Sequence, residues 1–102
     1  DLSIFIKQLR EKLTRIQKAY HSMNTDRYID DDELTVLLKM VKKVIDDGYS
    51  LKALATDPSD LEIISAIITS LEEEKKKIKK KEDALEIYKS IIFILFSIFK
   101  FG

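Results

Sequence analysis

The final twenty residues, from Asp83 to Gly102, hold four of the chain's five Phe. They also carry an unbroken run of six large apolar side chains, Ile91-Ile92-Phe93-Ile94-Leu95-Phe96. A surface helix shows one apolar stripe, whereas this stretch is apolar almost all round. Two roles fit it: the central helix of a bundle, or a surface meant for a membrane or a partner.

The rest of the chain constrains that choice. At 102 residues one compact core, and so one domain over residues 1–102, is expected. Two Gly and one Pro leave little material for hairpins, and Leu, Lys, Glu and Ala favour helices throughout. Lys plus Arg and Asp plus Glu both total 18, without the basic excess of a nucleic-acid binder. Zero cysteines exclude disulfides, thiol chemistry and Cys-based metal sites. The segment from Asp1 to Ile4 lacks the basic and apolar regions of a signal peptide. A transmembrane helix needs about 20 mostly apolar residues; the C-terminal stretch is slightly short and contains Glu86, Lys89 and Lys100. A soluble, cytoplasmic protein is therefore expected.

Four amphipathic segments can be read. Leu2, Ile6, Leu9, Leu13, Ile16 and Tyr20 recur at steps of four and three, which places a seam on a first helix near Ser3 to Ser22. A second helix, from about Asp31 to Asp47, carries Leu34, Leu37, Leu38, Val41, Val44 and Ile45. Its acidic start, Asp30 to Glu33, suits the positive end of the helix dipole, and Gly48 is expected to close it in the left-handed conformation. Tyr49, Leu51 and Leu54 then fall in a linker. Asp57 as a cap and Pro58 in the first turn open a third helix with Leu61, Ile64, Ile67, Ile68 and Leu71 on its stripe. It is expected to run into Glu72–Lys77, where three Glu precede three Lys at i,i+3 spacing. A turn within Lys79-Lys80-Lys81-Glu82 would separate it from a fourth helix starting near Asp83. The expected fold is all-α, an antiparallel up-down-up-down four-helix bundle. Three stripes needing a shared apolar partner make Leu85 to Leu95 core, and leave Phe96, Phe99 and Phe101 as the surface of interest.

Few residues offer chemistry. Ser22 to Glu33 can be laid on a calcium loop with Asn24 third, Asp26 fifth, Ile29 eighth and Glu33 twelfth. Ser22 stands where a carboxylate is expected, and Arg27 where a Gly makes the turn; a polar interhelical loop is the plainer reading. His21, the only histidine, has no Ser or Asp partner legible from spacing, and reads as a polar residue ending the first helix. There is no Gly-rich phosphate loop, no HExxH and no Glu-x-x-His pair. No enzyme activity, cofactor or metal is expected. The lysines Lys75-Lys76-Lys77 and Lys79-Lys80-Lys81 precede the apolar stretch, so Lys77, Lys79, Lys80 and Lys81 are candidates for contact with anionic headgroups. Glu72-Glu73-Glu74 weaken that field, and a solvated helix end and turn explains them equally.

The chain resembles the immunity proteins that protect producers of pediocin-like (class IIa) bacteriocins. The likeness lies in Asp32-Glu33-Leu34, Leu37-Leu38, Val41-Lys42-Lys43, Asp46-Asp47-Gly48-Tyr49-Ser50 and Ile63-Ile64-Ser65-Ala66-Ile67, about the middle half of the chain. The resemblance implies a cytoplasmic four-helix bundle, peripheral at the inner face of the plasma membrane, that acts without chemistry. It implies a partner: the membrane sugar-transport receptor with bound bacteriocin. Specificity would lie in the C-terminal part, here Phe96, Phe99, Lys100 and Phe101 as partner-binding residues. The acidic helix starts and Ile/Phe-rich last helix are also similar to the Bcl-2-like immune-evasion proteins of poxviruses, which implies a helical adaptor that sequesters an amphipathic helix. A degenerate calcium-binding helical domain is the remaining alternative.

Overall fold

A computed structural model describes residues 1–25 and 30–101, Phe101 through its backbone alone. Among the described residues the chain forms three helices: α1 (Ser3–Thr25), α2 (Asp31–Leu54) and α3 (Pro58–Phe101). The all-α expectation holds; the four-helix bundle does not.

The correction lies at Lys79–Glu82, where a turn is expected and the helix runs on. Between Pro58 and Gly102 the sequence contains neither Gly nor Pro, so nothing there lowers the cost of leaving the helix. Ion pairs also bridge the expected break, from Lys79 to Glu82 at 3.4 Å and to Asp83 at 3.3 Å. Pairs at i,i+3 and i,i+4 spacing support a helix. The expected third and fourth helices are thus one element of 44 residues, about 66 Å long at 1.5 Å per residue. The molecule is accordingly 67 Å along its longest axis and 22 × 16 Å across it. Its radius of gyration is 18.3 Å, against about 13 Å for a compact chain of this size.

Helix starts follow their sequence signals. The Asp30 side chain accepts a hydrogen bond from the Asp32 amide at 2.9 Å, with Asp31, Asp32 and Glu33 in the first turn of α2. The Asp57 carboxylate accepts from the Ser59 amide at 2.9 Å, just ahead of Pro58. At α1, Asp1 accepts from the Ser3 amide at 3.0 Å. Each contact satisfies a backbone donor that the helix itself leaves open.

The end of α2 differs from expectation. Gly48 neither closes the helix nor adopts a positive φ; α2 continues through Tyr49 and buried Leu51 to Leu54. Gly48 is needed for close approach instead. A Cβ there would lie 2.8 Å from Cγ1 of Ile68 and 3.7 Å from Cδ2 of Leu9, so its missing side chain is where all three helices meet.

The three helices share one apolar cluster. Ile6, Leu9, Leu13 and Ile16 of α1 pack with Leu34, Leu37, Leu38, Val41, Val44, Ile45 and Leu51 of α2, and with Ile64, Ile67, Ile68, Leu71 and Ile78 of α3. Cross-pairs define the directions. Lys12 meets Asp47 at 3.5 Å, the Tyr49 hydroxyl donates to Glu72 at 2.6 Å, and Lys89 pairs with Asp31. With Phe5 beside Leu54 and Met23 beside Asp32, α2 runs antiparallel to both α1 and α3, and it begins opposite Lys89.

Gly48→Ala tests the three-helix junction. Overpacking costs about 1–3 kcal/mol, and the better helix propensity of Ala returns about 1 kcal/mol. A net loss of up to about 2 kcal/mol is expected in urea unfolding, whereas Ala at an ordinary exposed helical Gly would stabilise.

Candidate functional site

Beyond Lys89, α3 has no α2 alongside it. The twelve residues from Ser90 to Phe101 extend the helix about 18 Å further. Their side chains do not form the core that the sequence led one to expect. Ile92 is 47% exposed, Leu95 49%, Phe93 71% and Phe99 83%. Of the stretch Leu85 to Leu95, only Leu85 packs on the apolar cluster. The reason is length: α1 and α2, of 23 and 24 residues, cover the first part of α3 and then stop.

The exposed part is not random in pattern. Ile64, Leu71, Ile78, Leu85, Ile92 and Phe99 are each seven residues apart. A large apolar residue every seventh position keeps one seam facing a partner helix. The first three are fully buried, Leu85 is half-buried, and the last two are exposed. The seam that holds the bundle together thus continues past its end with the same spacing and no helix against it. Tyr88 and Leu95 flank it, both exposed.

Polar groups on the extension are few. The Ser90 hydroxyl donates to the Glu86 carbonyl at 3.0 Å, and that of Ser97 to the Phe93 carbonyl at 2.9 Å. Hydroxyls satisfied within their own helix need no water. No helix among the described residues is long and apolar enough to cross a membrane.

The sequence-predicted site residues fall in three places. Phe96, Phe99 and Lys100 are exposed on the extension, with Lys100 in its last turn; Phe101 lies outside the described side chains. The basic group is a mid-helix belt rather than a turn, and its members have different surroundings. Lys77 pairs with the buried Glu74 at 3.4 Å. Lys79 is held by Asp83 and Glu82, whose hydrogen bonds, Asp83's first, raise its pKa above the ordinary 10.5. Lys81 is half-buried. Lys80 lines an open trough of about 830 Å³ with Lys76, Ala84 and Ile87 of α3 and Ile45 and Tyr49 of α2. Sequence reasoning missed Ile87, Ile91 and Ile94 as surface residues, because the expected fourth helix placed Leu85 to Leu95 in the core.

The described residues of the calcium-loop reading fall on two helices. Ser22, Asn24 and Thr25 belong to α1, Glu33 belongs to α2 and Asp30 is spent as its cap. Asp26 and Ile29 lie outside the described residues. Among the described residues no three His, Asp or Glu side chains gather closely enough to hold a metal ion. His21 is exposed in the penultimate turn of α1. The chain matches no protein-family model, no curated protein and no solved structure.

Two measurements check this geometry. Ile78→Ala removes a fully buried side chain and should cost about 2–5 kcal/mol. Ile92→Asp, one seam position beyond Leu85, should stay within about 0.5 kcal/mol of the parent; a collapse of the melting transition would place Ile92 in a core. Tyr49 offers a second check, since its hydrogen bond to Glu72, with that carboxylate's charge, raises its pKa above 10.0. The bond's contribution is complete below the unfolded tyrosine pKa of about 10. It is lost as pH climbs through the higher folded value. In an ultraviolet phenolate titration one of the four tyrosines should ionise late, and Tyr49→Phe should remove that component.

Proposed function

We propose that this chain acts by contact rather than by chemistry, with the α3 extension as the surface that a helical partner covers. The observation that carries the reading is the seven-residue seam, which passes from fully buried Ile78 to exposed Ile92 and Phe99 without changing its spacing. Inside the bundle this seam is satisfied by two helices. Outside it, the same side chains accept helices of similar apolar character. An exposed apolar surface of this extent is the usual mark of an interaction site.

The resemblance to bacteriocin immunity proteins supplies a biological setting for such contact. In that setting the partner is a membrane sugar-transport receptor with bound bacteriocin, and Phe96, Phe99, Lys100 and Phe101 lie in the region that meets it. The proposal keeps the contact mode and leaves behind the four-helix architecture, which the continuous α3 overturns.

Expression in a bacteriocin-sensitive strain tests both parts. The parent chain should raise the tolerated dose of at least one class IIa peptide. Ile92→Asp combined with Phe99→Asp should abolish that protection while the purified variant retains its melting transition. Absence of protection across a panel of peptides removes the immunity setting; protection undiminished in the double variant removes the seam as the contact.

A further inference from the structure

Because α3 is unbroken, residues separated by the expected turn share one helical face. Lys76, Lys80, Ala84, Ile87, Ile91, Ile94 and Ile98 succeed one another at steps of three or four, which stacks them in one line. The trough between α3 and α2 holds the start of the line, Lys76, Lys80, Ala84 and Ile87, together with Lys75, Lys79, Glu72 and Asp83, and its two carboxylates are engaged by Tyr49 and Lys79. This line is distinct from the seam through Leu85, Ile92 and Phe99. Its residues are exposed, the isoleucines between 50% and 62%. Lys76 and Lys80 make no ion pair among the described residues, unlike Lys77 and Lys79.

The line is divided by chemistry. Two unpaired ammonium groups, Ala84 and Ile87 occupy the part beside the bundle, and Ile91, Ile94 and Ile98 occupy the part beyond it. Glu86, Ser90 and Ser97 lie on a different side of the extension, at steps of four and seven. Both serine hydroxyls are satisfied by their own helix, so burying the neighbouring apolar face strands neither donor.

We propose that this face is a docking surface for an anionic lipid bilayer, with α3 lying along the membrane plane. The isoleucines enter the boundary between headgroups and acyl chains, and Lys76 and Lys80 meet anionic headgroups about 10–30 Å along the same helix. Lying flat follows from the course of the line: it runs along α3 from beside the bundle onto the extension, so Lys76, Lys80 and the isoleucines meet one surface together only when the helix lies in its plane. Charge complementarity selects anionic over neutral lipid. The inference goes beyond the contact reading above and uses a different face, so each can fail alone.

The full chain is mixed with vesicles of phosphatidylcholine, with or without about one-third phosphatidylglycerol, and sedimented. It should bind the anionic vesicles and leave the neutral ones largely in the supernatant. Lys76→Gln with Lys80→Gln should weaken binding about 30-fold, which corresponds to about 1 kcal/mol for each lysine. Ile91→Asp with Ile94→Asp should abolish it, with circular dichroism confirming a folded bundle. The chain has no cysteine, so Ile94→Cys and Ser90→Cys can each carry one environment-sensitive dye. The dye at position 94 should shift to the blue on anionic vesicles and that at 90 should not. Equal uptake by neutral vesicles, no uptake by either, or undiminished binding of the lysine variant overturns the proposal. So does a concentration-dependent dimer without lipid uptake in which the dye at position 94 becomes buried, because that assigns the face to a second copy. The seam reading survives any of these results, since its own test rests on Ile92 and Phe99.

Discussion

The structure depends on a mismatch of length around one seam. Helix α3 offers a large apolar side chain every seventh residue from Ile64 to Phe99, while α1 and α2 are little more than half its length. Burial of apolar area is the main force holding small helices together. It acts here only where all three helices overlap. Within that overlap Ile16, Leu34, Ile64, Leu71 and Ile78 are fully enclosed. Past Lys89 and its ion pair with Asp31, the same kind of residue faces outward.

The polar contacts set alignment rather than supply much stability. Lys12–Asp47 and the Lys79 pairs on α3 are largely exposed, and such pairs each contribute little. Tyr49 to Glu72 and Lys89 to Asp31 tie the two ends of α2 to α3 and fix where the bundle stops. Gly48 works in the opposite sense, by an absence. Its missing Cβ makes room for Ile68 of α3 against α2, at a point where Leu9 of α1 also lies close.

Much of this was legible in the chain. The stripes of α1 and α2, the acidic starts at Asp30 and Asp57, and most of the core as far as Leu71 follow from local periodicity and capping chemistry. Two features were not. Gly48 reads as a helix stop because glycine favours the left-handed conformation, but whether it stops a helix or admits a neighbour depends on what packs beside it. Lys79–Glu82 reads as a turn because it is polar and lies between apolar runs. The seven-residue spacing through Ile78, Leu85 and Ile92 was present as a counter-signal, and it passes the lysines without a phase shift.

The sequence by itself determined that this chain is helical, where α1, α2 and α3 begin and which stripes of α1 and α2 are buried. These properties arise within a few turns, from propensity, capping and periodicity. The tertiary structure alone decided that the apolar C-terminal run is exposed and that the lysines share a face with Ile87, Ile91, Ile94 and Ile98. Burial is not a local property: it depends on whether another helix reaches the residue, and α2 does not lie alongside α3 beyond Lys89.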